Sequence, residues 1–421
     1  MSVLRNLPFT LELLPTSAYL VGGSVRDALL QRCSDYLDLD FVVPTEAIET
    51  ARRLAKHYNA GFVVLDAKRK IARVVFDWGT VDVAQQEGES LTADLQRRDF
   101  TINAIAYNLH NQQLFDPLQG ILDLERRWLR MIAPKNLSDD PLRLLRAYRQ
   151  AAQLNFDIEA KTRSTITSLA PQLAKVAAER VQTELNYLLS SPQCSLWLAA
   201  AYKDGLLSFW LPHATESKLK RVAQVDRAFS LLGSKWGEVK TRLQTSVNNN
   251  ALSGIALAKL ATLVADEVAV AQEQLWRLKY SRGEVRAVSN TLQHLPSLIS
   301  LPNSPLSVRE QYFLFLGVGN AFLILVLLVI ATWLEKKVIS DNQCLTLLIP
   351  LITSYLNSNS QVAHPKPLVT GNDLMQSLSL SPSPQIGTLL TEIQIARLEG
   401  KINNFSEAIQ FAANWLEIPE Q

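Results

Sequence analysis

The sequence has few cysteines and few histidines, and their positions exclude several classes of site. Its 421 residues include 3 cysteines, Cys33, Cys194 and Cys344, which lie too far apart for a zinc motif or a disulfide framework. None of the 5 histidines is followed by aspartate, so the simple His-Asp motif of metal phosphohydrolases is absent. These absences favour a reducing compartment, and we expect the protein in the cytoplasm.

The sequence also lacks an excess of charge of either sign. It carries 42 Lys and Arg against 40 Asp and Glu, a net charge of +2, so no global basic field indicates nucleic-acid binding. Residues 121–180 are locally basic, with 11 Lys and Arg against 7 Asp and Glu. Any RNA-binding surface must therefore be local. The length predicts about two to four domains.

A secretory leader is not expected, because no apolar stretch follows Arg5. One long apolar run occurs later: residues 312–333 form a stretch of 22 residues without charge, long enough to span a membrane. Gly317 and Gly319 lie inside this run and could end one helix and begin the next. We therefore expect a buried helical hairpin rather than a membrane span.

The first third of the chain combines a glycine turn with two aspartates in an apolar strand. Asp38 and Asp40 are two residues apart in this predicted strand, so their carboxylates point to the same face and favour a hard divalent cation. Gly22 and Gly23 would let backbone amides approach a phosphate, and Arg26 adds a fixed charge. The combination predicts phosphoryl or nucleotidyl transfer. Separately, the glycine pair is more often a simple turn, and the aspartates an exposed strand end.

Two further motifs follow in order. Residues 94–104 contain Arg97-Arg98-Asp99 and Asn103, and residues 138–146 read Ser-Asp-Asp-Pro-Leu-Arg-Leu-Leu-Arg. With the glycine turn and the paired aspartates, they resemble the class II tRNA nucleotidyltransferase and bacterial poly(A) polymerase family, within the polymerase-β-like superfamily. The resemblance covers roughly residues 1–200, and residues 367–387 are similar to the tail signature of that family.

This resemblance implies an α+β protein in four parts. A small mixed α/β, polymerase-β-like nucleotidyltransferase head would occupy residues 1–133, followed by an all-α neck (134–200), body (201–340) and tail (341–421). Hydrophobic periodicity agrees with this division, since it predicts alternating strands and helices in the first third and helices from about residue 134 onward.

The resemblance also implies roles for the first motif. Asp38 and Asp40 would bind the catalytic Mg²⁺ ions, one activating the RNA 3′-hydroxyl and the other stabilising the leaving pyrophosphate. Gly22, Gly23 and Arg26 would hold the nucleoside triphosphate.

The second motif would contact the nucleotide sugar. Arg97, Arg98 and Asp99 occupy the family's ribose-binding positions, where a carboxylate can accept a hydrogen bond from a ribose hydroxyl. Asn103 would either fix this loop or make a purely structural hydrogen bond. Asp82, on a neighbouring strand, is either a third catalytic carboxylate or an exposed strand residue.

The third motif would select the base. Asp140 and Arg143 are three residues apart in a predicted helix and can together read the Watson–Crick edge of CTP or ATP, with Arg146 one turn further. The family usually has Glu where this chain has Asp139, which shortens a side chain thought to position Arg143. The alternative is that residues 138–141 only form the charged first turn of a helix.

The segment between the Asp82 strand and the second motif bears on which nucleotides are added. CCA-adding relatives carry a longer mobile segment where this chain has only Gln85–Ala93. The short segment is similar to the CC-adding subgroup; full CCA addition, A addition and poly(A) synthesis are the alternatives. The implied partners are tRNA and CTP, with ATP as well if A is also added; no protein partner is evident. Residues 276–286 interleave aromatic and basic side chains and either contact RNA phosphates or form an ordinary helix end.

Overall fold

The computed structural model describes residues 8–32, 36–245 and 252–417. Arg5, Cys33 and the stretch 246–251 of the predicted helical region lie outside the described residues. The chain forms two compact units, Met1–Trp210 and Leu211–Gln421.

The first unit starts with a mixed sheet of seven strands within the described residues. They are β1 (Tyr19–Val21), β2 (Leu37–Val43), β3 (Gly61–Asp66), β4 (Ile71–Phe76), β5 (Gly79–Gln85), β6 (Ala106–Asn108) and β7 (Gln113–Phe115). Their spatial order is β3-β4-β5-β2-β1-β6-β7. The β2 and β5 strands are parallel, whereas the other neighbours are antiparallel.

Four helices accompany this sheet: α1 (Gly23–Leu29), α2 (Ala47–Tyr58), α3 (Leu91–Gln96) and α4 (Gly120–Arg126). Helix α2 buries Ala47, Ala51 and Leu54 and packs on β4 and β5, which covers one face of the sheet. At the start of β5, a Cβ on Gly79 would lie 2.1 Å from the Leu37 carbonyl oxygen, so only glycine lets β5 approach β2 there.

The rest of the first unit is mainly helical. Its helices are α5 (Pro134–Asp139), α6 (Leu142–Leu154), α7 (Ala160–Leu169), α8 (Ala178–Leu189) and α9 (Cys194–Lys203). Two short strands, β8 (Trp128–Leu129) and β9 (Asp157–Ile158), pair in parallel. The sequence predicted only helices after residue 134, and β9 departs from that prediction because two residues are too few to show a strand period.

The second unit is helical throughout its described residues. Its helices are α10 (Glu216–Lys235), α11 (Gly237–Gln244), α12 (Gly254–Leu263), α13 (Val268–Arg277), α14 (Arg282–Ile299), α15 (Val308–Val318), α16 (Phe322–Lys336), α17 (Asp341–Leu356), α18 (Gly371–Leu378), α19 (Pro384–Leu398) and α20 (Phe405–Leu416). The predicted α+β fold, a mixed head followed by helices, is confirmed.

The long apolar run forms the core of the second unit. Helix α15 ends at Val318, the 3-10 turn Gly319–Ala321 follows, and α16 buries every side chain from Phe322 to Trp333. Among the described residues, 308–336 is the one helical stretch long and apolar enough to cross a membrane, yet 72% of its most apolar window is buried inside the unit. The predicted break into two helices is confirmed, and α16 is buried because α10, α12 and α14 pack against it. Helix α15 is only partly buried, since Phe313 and Leu316 are exposed.

The aromatic and basic residues at 276–286 lie at a helix junction. Trp276 near the end of α13 is 46% exposed, whereas Tyr280, in the connection to α14, is 2% exposed. A buried ring cannot stack on a base, so this segment offers RNA one exposed aromatic side chain at most.

Candidate active site

The paired aspartates lie on β2, beside the parallel strand β5. Asp38 is in register with Thr80, and Asp40 with Asp82. The Thr80 hydroxyl donates a hydrogen bond to Asp38, with 2.5 Å between Oγ1 and Oδ1. Because paired residues of adjacent strands point the same way, three carboxylates share one face of the sheet.

The third of these carboxylates, Asp82, is bound by an arginine on the neighbouring strand β4. Arg73 on β4 donates to both oxygens of Asp82, at 2.6 Å from Nε and 2.8 Å from Nη2. This bidentate pair raises the pKa of Arg73. Asp82 thus lies where the sequence placed it, beside the paired aspartates, but with both oxygens bound to a guanidinium that the sequence analysis did not assign.

The crowding of carboxylates changes the acidity of Asp40. Burial, followed by the negative charges of Asp38 and Asp82, raises the pKa of Asp40 to about 6, although Arg98 and Arg73 partly oppose the shift. A divalent cation between Asp38 and Asp40 would remove this repulsion.

The donor set fits a hard cation shared with a substrate. The described residues contain no cluster of three or more His, Cys, Asp or Glu that could hold a metal by itself. Two carboxylates suffice for an ion such as Mg²⁺, which completes its shell with water and substrate phosphates. Asp38 and Asp40 meet that requirement.

The glycine turn lies directly against the carboxylates. Gly22 has φ +77° and ψ −140°, a conformation that favours glycine, and it precedes α1. A Cβ on Gly22 would lie 3.3 Å from Oδ2 of Asp40 and 3.7 Å from Nη1 of Arg98. Any larger residue would therefore fill the space between the turn, the carboxylate and the guanidinium.

Arg26 leads from the turn into a buried polar network. Its guanidinium donates to both oxygens of Asp27 at 3.0 Å, and its Nη1 donates to Oδ1 of Asn103 at 2.8 Å. A cavity of about 280 Å³ lies beside it. The cavity is lined by Gly23, Ser24, Arg26, Asp27, Ala28, Arg32 and Tyr36–Asp40. The glycine turn, Arg26 and the paired aspartates therefore share one pocket, as the sequence predicted.

Asp94 holds the two arginines of the second motif in place. This fully buried carboxylate accepts from Nη2 of Arg97 at 3.0 Å and from Nη2 of Arg98 at 3.3 Å. It also accepts from the backbone amide of Glu87 at 3.0 Å. Asp94 was not among the predicted site residues, although its spacing of three and four residues from the arginines was a signal for contact in a helix.

Asp99 is buried, and it accepts two hydrogen bonds and forms one ion pair. Its Oδ1 accepts from the Phe100 amide at 2.8 Å and from Nδ2 of Asn103 at 3.0 Å, and its Oδ2 lies 3.2 Å from Nε of Arg146. Burial alone would raise the pKa of Asp99, but the Arg146 charge and these hydrogen bonds outweigh it and lower the pKa. A ribose hydroxyl would have to use the remaining lone pair of Oδ2, beside Arg146.

Gln150 of α6 connects the first motif to the second, because it contacts both Arg26 and Asn103. It is 1% exposed, and its Oε1 accepts from Nδ2 of Asn103 at 3.0 Å and from Nη1 of Arg26 at 3.4 Å. Its own Nε2 has no hydrogen-bond partner in the structure. Gln150 was missed because a glutamine among the apolar positions of a helix gives no sequence signal of its contacts.

The base-selection motif differs from its predicted conformation. Residues 138–141 were expected to form the first turn of a helix, and this is wrong: Asp139 ends α5, Asp140 is extended with φ −136° and ψ 91°, and α6 begins at Leu142. A residue before proline is disfavoured in the helical region, which explains the break at Asp140. Asp140 and Arg143 therefore do not share one helical face.

The two side chains are nevertheless close to each other. Nε of Arg143 is 4.0 Å from Oδ2 of Asp140, and Nη1 of Arg143 donates to the carbonyl oxygens of Arg97 and Asn136 at 2.9 and 3.0 Å. Asp140 also accepts from Nη2 of Arg180 on α8, at 2.9 Å. Arg143 is thus anchored to the second motif, and Arg180 is a further neighbour that the sequence analysis did not assign.

The connection between β5 and α3 is short and held at both ends. Strand β5 ends at Gln85, and the Gln86 amide donates to the Val43 carbonyl at 2.8 Å. Ser90 caps α3 by accepting from the Ala93 amide at 3.2 Å. Only residues 86–90 lie between the two elements, and this leaves little chain for a mobile segment.

Comparison with known proteins covers both units. Residues 18–130 match the poly(A) polymerase head domain, residues 155–218 the probable RNA and SrmB-binding site of polymerase A, and residues 253–413 the putative tRNA nucleotidyltransferase domain 2. The fold is similar to that of a CCA-adding enzyme solved with ATP, with a TM-score of 0.73 and 22% identity over 99% of this chain and 95% of the other. The Thermotoga maritima CCA-adding enzyme solved with tRNA gives 0.71 and 21% over the same shares.

Two curated relatives extend the match over nearly the whole chain. A CC-adding tRNA nucleotidyltransferase of Synechocystis sp. is 52% identical over 97% of this chain and 96% of its own length. A CC-adding tRNA nucleotidyltransferase of Geobacter sulfurreducens is 32% identical over 94% of this chain and 91% of its own length. With the site geometry, these matches show that the chain belongs to the tRNA nucleotidyltransferase and poly(A) polymerase family.

Proposed function

We propose that this enzyme adds two cytidines to the 3′ end of tRNA, using CTP, releasing pyrophosphate and reading no nucleic-acid template. The observation that carries the proposal is the short connection of residues 86–90, fixed at Gln86 and Ser90. One pocket must change shape to accept a purine after a pyrimidine, and a segment this short has little freedom to drive that change. The two relatives named as CC-adding enzymes support the same activity.

Family membership implies a divalent metal ion, and we infer that it is Mg²⁺, held by Asp38 and Asp40. When bound there, Mg²⁺ supplies positive charge to the attacking oxygen and to the phosphates. Gly22 leaves room beside Asp40 for the phosphate chain, and Arg26 faces the same pocket, where it can neutralise phosphate charge.

The arginines of the second motif would orient the nucleotide. Asp94 fixes Arg97 and Arg98, so their guanidinium groups are already ordered before the nucleotide binds. Asp99 holds Arg146 and Asn103, and through Asn103 it supports Arg26. We infer that Asp99 acts mainly by positioning these donors.

Asp140 and Arg143 would select cytosine. A carboxylate can accept from the N4 amino group of cytosine, and a guanidinium can donate to its N3 and O2 atoms. The half-buried Arg143 is anchored by two backbone carbonyls, so it presents its remaining donors in a fixed direction. Arg180 must share or release Asp140 when the base binds, because it holds the same carboxylate.

Stepwise extension tests the proposed activity. Three tRNA substrates, ending before the CCA sequence, after its first C and after CC, are incubated with each nucleotide separately and resolved on a gel. We expect CTP and ATP together to lengthen the first tRNA by two nucleotides, and the tRNA ending in CC to accept ATP poorly. Efficient addition of all three nucleotides would overturn the proposal in favour of CCA addition. A long A tract would instead indicate a poly(A) polymerase.

The substrates also suggest a location. We infer that the enzyme works in the cytoplasm, because its relatives act on tRNA and its three cysteines form no disulfide framework. Fractionation of cells, with the enzyme detected by an antibody, tests this; recovery in the membrane fraction after carbonate washing would contradict it.

A further inference from the structure

The sheet face that bears the carboxylates continues beyond them onto two outer strands. Val75 of β4 is in register with Thr80, and Arg73 with Asp82. Val63 of β3 is in register with Arg73. Since registered neighbours point to the same side, Val63 and Val75 lie on the catalytic face of the sheet.

This outer part of the face is apolar and exposed. Val63 is 46% exposed and Val75 is 43% exposed. On the opposite face of β4, Ala72 and Val74 are each 0% exposed, because α2 packs there. Two valines left open beside a catalytic centre form a surface that a substrate can cover.

A basic turn adjoins the same strands. Lys68, Arg69 and Lys70 are exposed in the turn between β3 and β4. The turn is ordered by Asp66, whose Oδ1 accepts from the amides of Lys68 and Arg69 at 2.9 and 3.0 Å. Lys70 is three residues from Arg73, so the turn lies about 10 Å from the pair Arg73–Asp82 along β4. We call Val63, Val75 and residues 68–70 the hairpin surface.

The two substrates must reach the carboxylates from different sides. The pocket with Gly23 and Arg26 lies at α1, on the β1 side of Asp38 and Asp40. The hairpin surface lies on the other side, beyond β5. If the pocket at α1 holds the triphosphate, the 3′ end of the acceptor RNA must approach the carboxylates from the side of the hairpin surface.

We propose that the hairpin surface binds the last nucleotides of the acceptor RNA, with bases on Val63 and Val75 and phosphates on residues 68–70. This inference rests on the proposed nucleotidyl transfer to tRNA. An apolar side chain can pack against the face of any base, because this contact does not read hydrogen-bonding groups, and lysine and arginine bind phosphates without reading sequence. Such a surface suits an enzyme whose acceptor end changes with each nucleotide added.

An isosteric double variant tests the apolar part. Val63→Thr/Val75→Thr keeps the β-branched shape but replaces a methyl group by a hydroxyl at each position. We expect the KM for tRNA to rise about fivefold, because a base loses part of its apolar contact, while the KM for CTP stays unchanged. Val64→Thr is the matched control, since Val64 is 38% exposed on the opposite face of the same strand.

A charge variant tests the phosphate contacts. In Lys68→Gln/Arg69→Gln, two cations are lost, and the slope of log KM for tRNA against log salt should fall by about 1.4 if both contact phosphates of a single strand. Arg53→Gln/Lys56→Gln removes two exposed cations from α2, across the sheet, and should leave that slope unchanged.

The outcomes separate this inference from the proposed function. If the wild-type enzyme adds cytidine to tRNA but both double variants keep its KM for tRNA, the hairpin surface does not bind the acceptor. If the wild-type enzyme adds no cytidine, the proposed function itself fails. The alternative is that the edge strand β3 binds a second copy of the chain, and light scattering tests this. If the wild-type enzyme is a dimer and Val63→Thr/Val75→Thr converts it to a monomer, the inference is also overturned.

Discussion

Both units bury charged and polar side chains, but they use them differently. In the first unit, Asp94 holds Arg97 and Arg98. Asn103 and Gln150 accept hydrogen bonds from Arg26, which lines the same cavity as Asp38 and Asp40. In the second unit, Glu284 closes a capping box with Ser281, and its other oxygen accepts from the Leu252 amide. Ser281 and Glu284 also line a cavity, of about 600 Å³, so a cavity beside buried polar groups does not by itself indicate chemistry. The first unit differs because its cavity is also lined by the crowded carboxylates Asp38 and Asp40.

The largest effect is expected at the metal carboxylates. Asp38→Asn or Asp40→Asn should lower cytidine incorporation more than about a hundredfold, because each removes a charge from a metal-binding pair. The Kd for tRNA should stay near that of the wild type, and the melting temperature should not fall. Turnover within tenfold of wild type at saturating Mg²⁺ would show that these residues are not the catalytic centre.

Two buried acids, one from each unit, test the comparison directly. Asp94→Asn should lower kcat/KM for CTP by about tenfold to a hundredfold, because Arg97 and Arg98 lose the carboxylate that orients them. Glu284→Gln should lower the melting temperature while leaving kcat/KM unchanged at temperatures where the variant is folded. If Glu284→Gln impaired catalysis as much as Asp94→Asn does, the distinction between the units would fail.

Base selection should show a smaller but more specific effect. Asp140→Ala and Arg143→Ala should each lower the preference for CTP over UTP, since a lost hydrogen-bond pair is worth about 1–3 kcal/mol of discrimination. Competition assays with both nucleotides measure the ratio of kcat/KM values. Reduced rates with unchanged selectivity would mean that the two residues only hold α5 and α6 in place.

The weakest expected effect is the pH dependence of Asp40. Its pKa of about 6 in the folded protein lies above the ordinary 3.8, so ionisation favours unfolding. The stabilising contribution of the protonated group is present below about pH 4 and is lost as the pH rises to about 6. Asp40→Asn should therefore raise the melting temperature of the metal-free protein at pH 8 and leave it almost unchanged at pH 4. Equal effects at both pH values would contradict the shift.

Metal binding should also depend on the ionisation of Asp40, but here the ionised form is the favourable one. Protons compete with the cation for Asp40, so the affinity for Mg²⁺ should fall about tenfold for each pH unit below 6. The rise in melting temperature on adding Mg²⁺, measured from pH 5 to pH 8, reports this affinity. A rise that does not depend on pH would place the ion away from Asp40.

Local periodicity predicted much of the fold. The apolar spacing predicted alternating strands and helices in the first third, where the structure has them, and the glycines at 317 and 319 predicted the break between α15 and α16. Both patterns depend on neighbours within about one turn of chain, so the sequence displays them directly. The predicted family is confirmed for the same kind of reason, because its motifs are short and ordered along the chain.

The conformation of the third motif was harder to predict. Residues 138–141 have the composition of a helix start, yet Asp140 is extended between α5 and α6 and contacts Arg180 of α8. The restriction that Pro141 places on the residue before it outweighed the helix-start composition of these residues. The roles of Asp38, Asp40 and the other site residues remain predictions that the variants above can test.

The sequence by itself determined the type of chemistry, because two aspartates, a glycine turn and a pair of arginines carry their chemical properties wherever they lie. Only the tertiary structure decided which groups meet. It paired Asp82 with Arg73, placed Gln150 between Arg26 and Asn103, and left Val63 exposed beside the carboxylates. These contacts depend on strand order and helix packing, which bring together residues separated by up to 124 positions. No local pattern records that proximity, since it arises only when the whole unit folds.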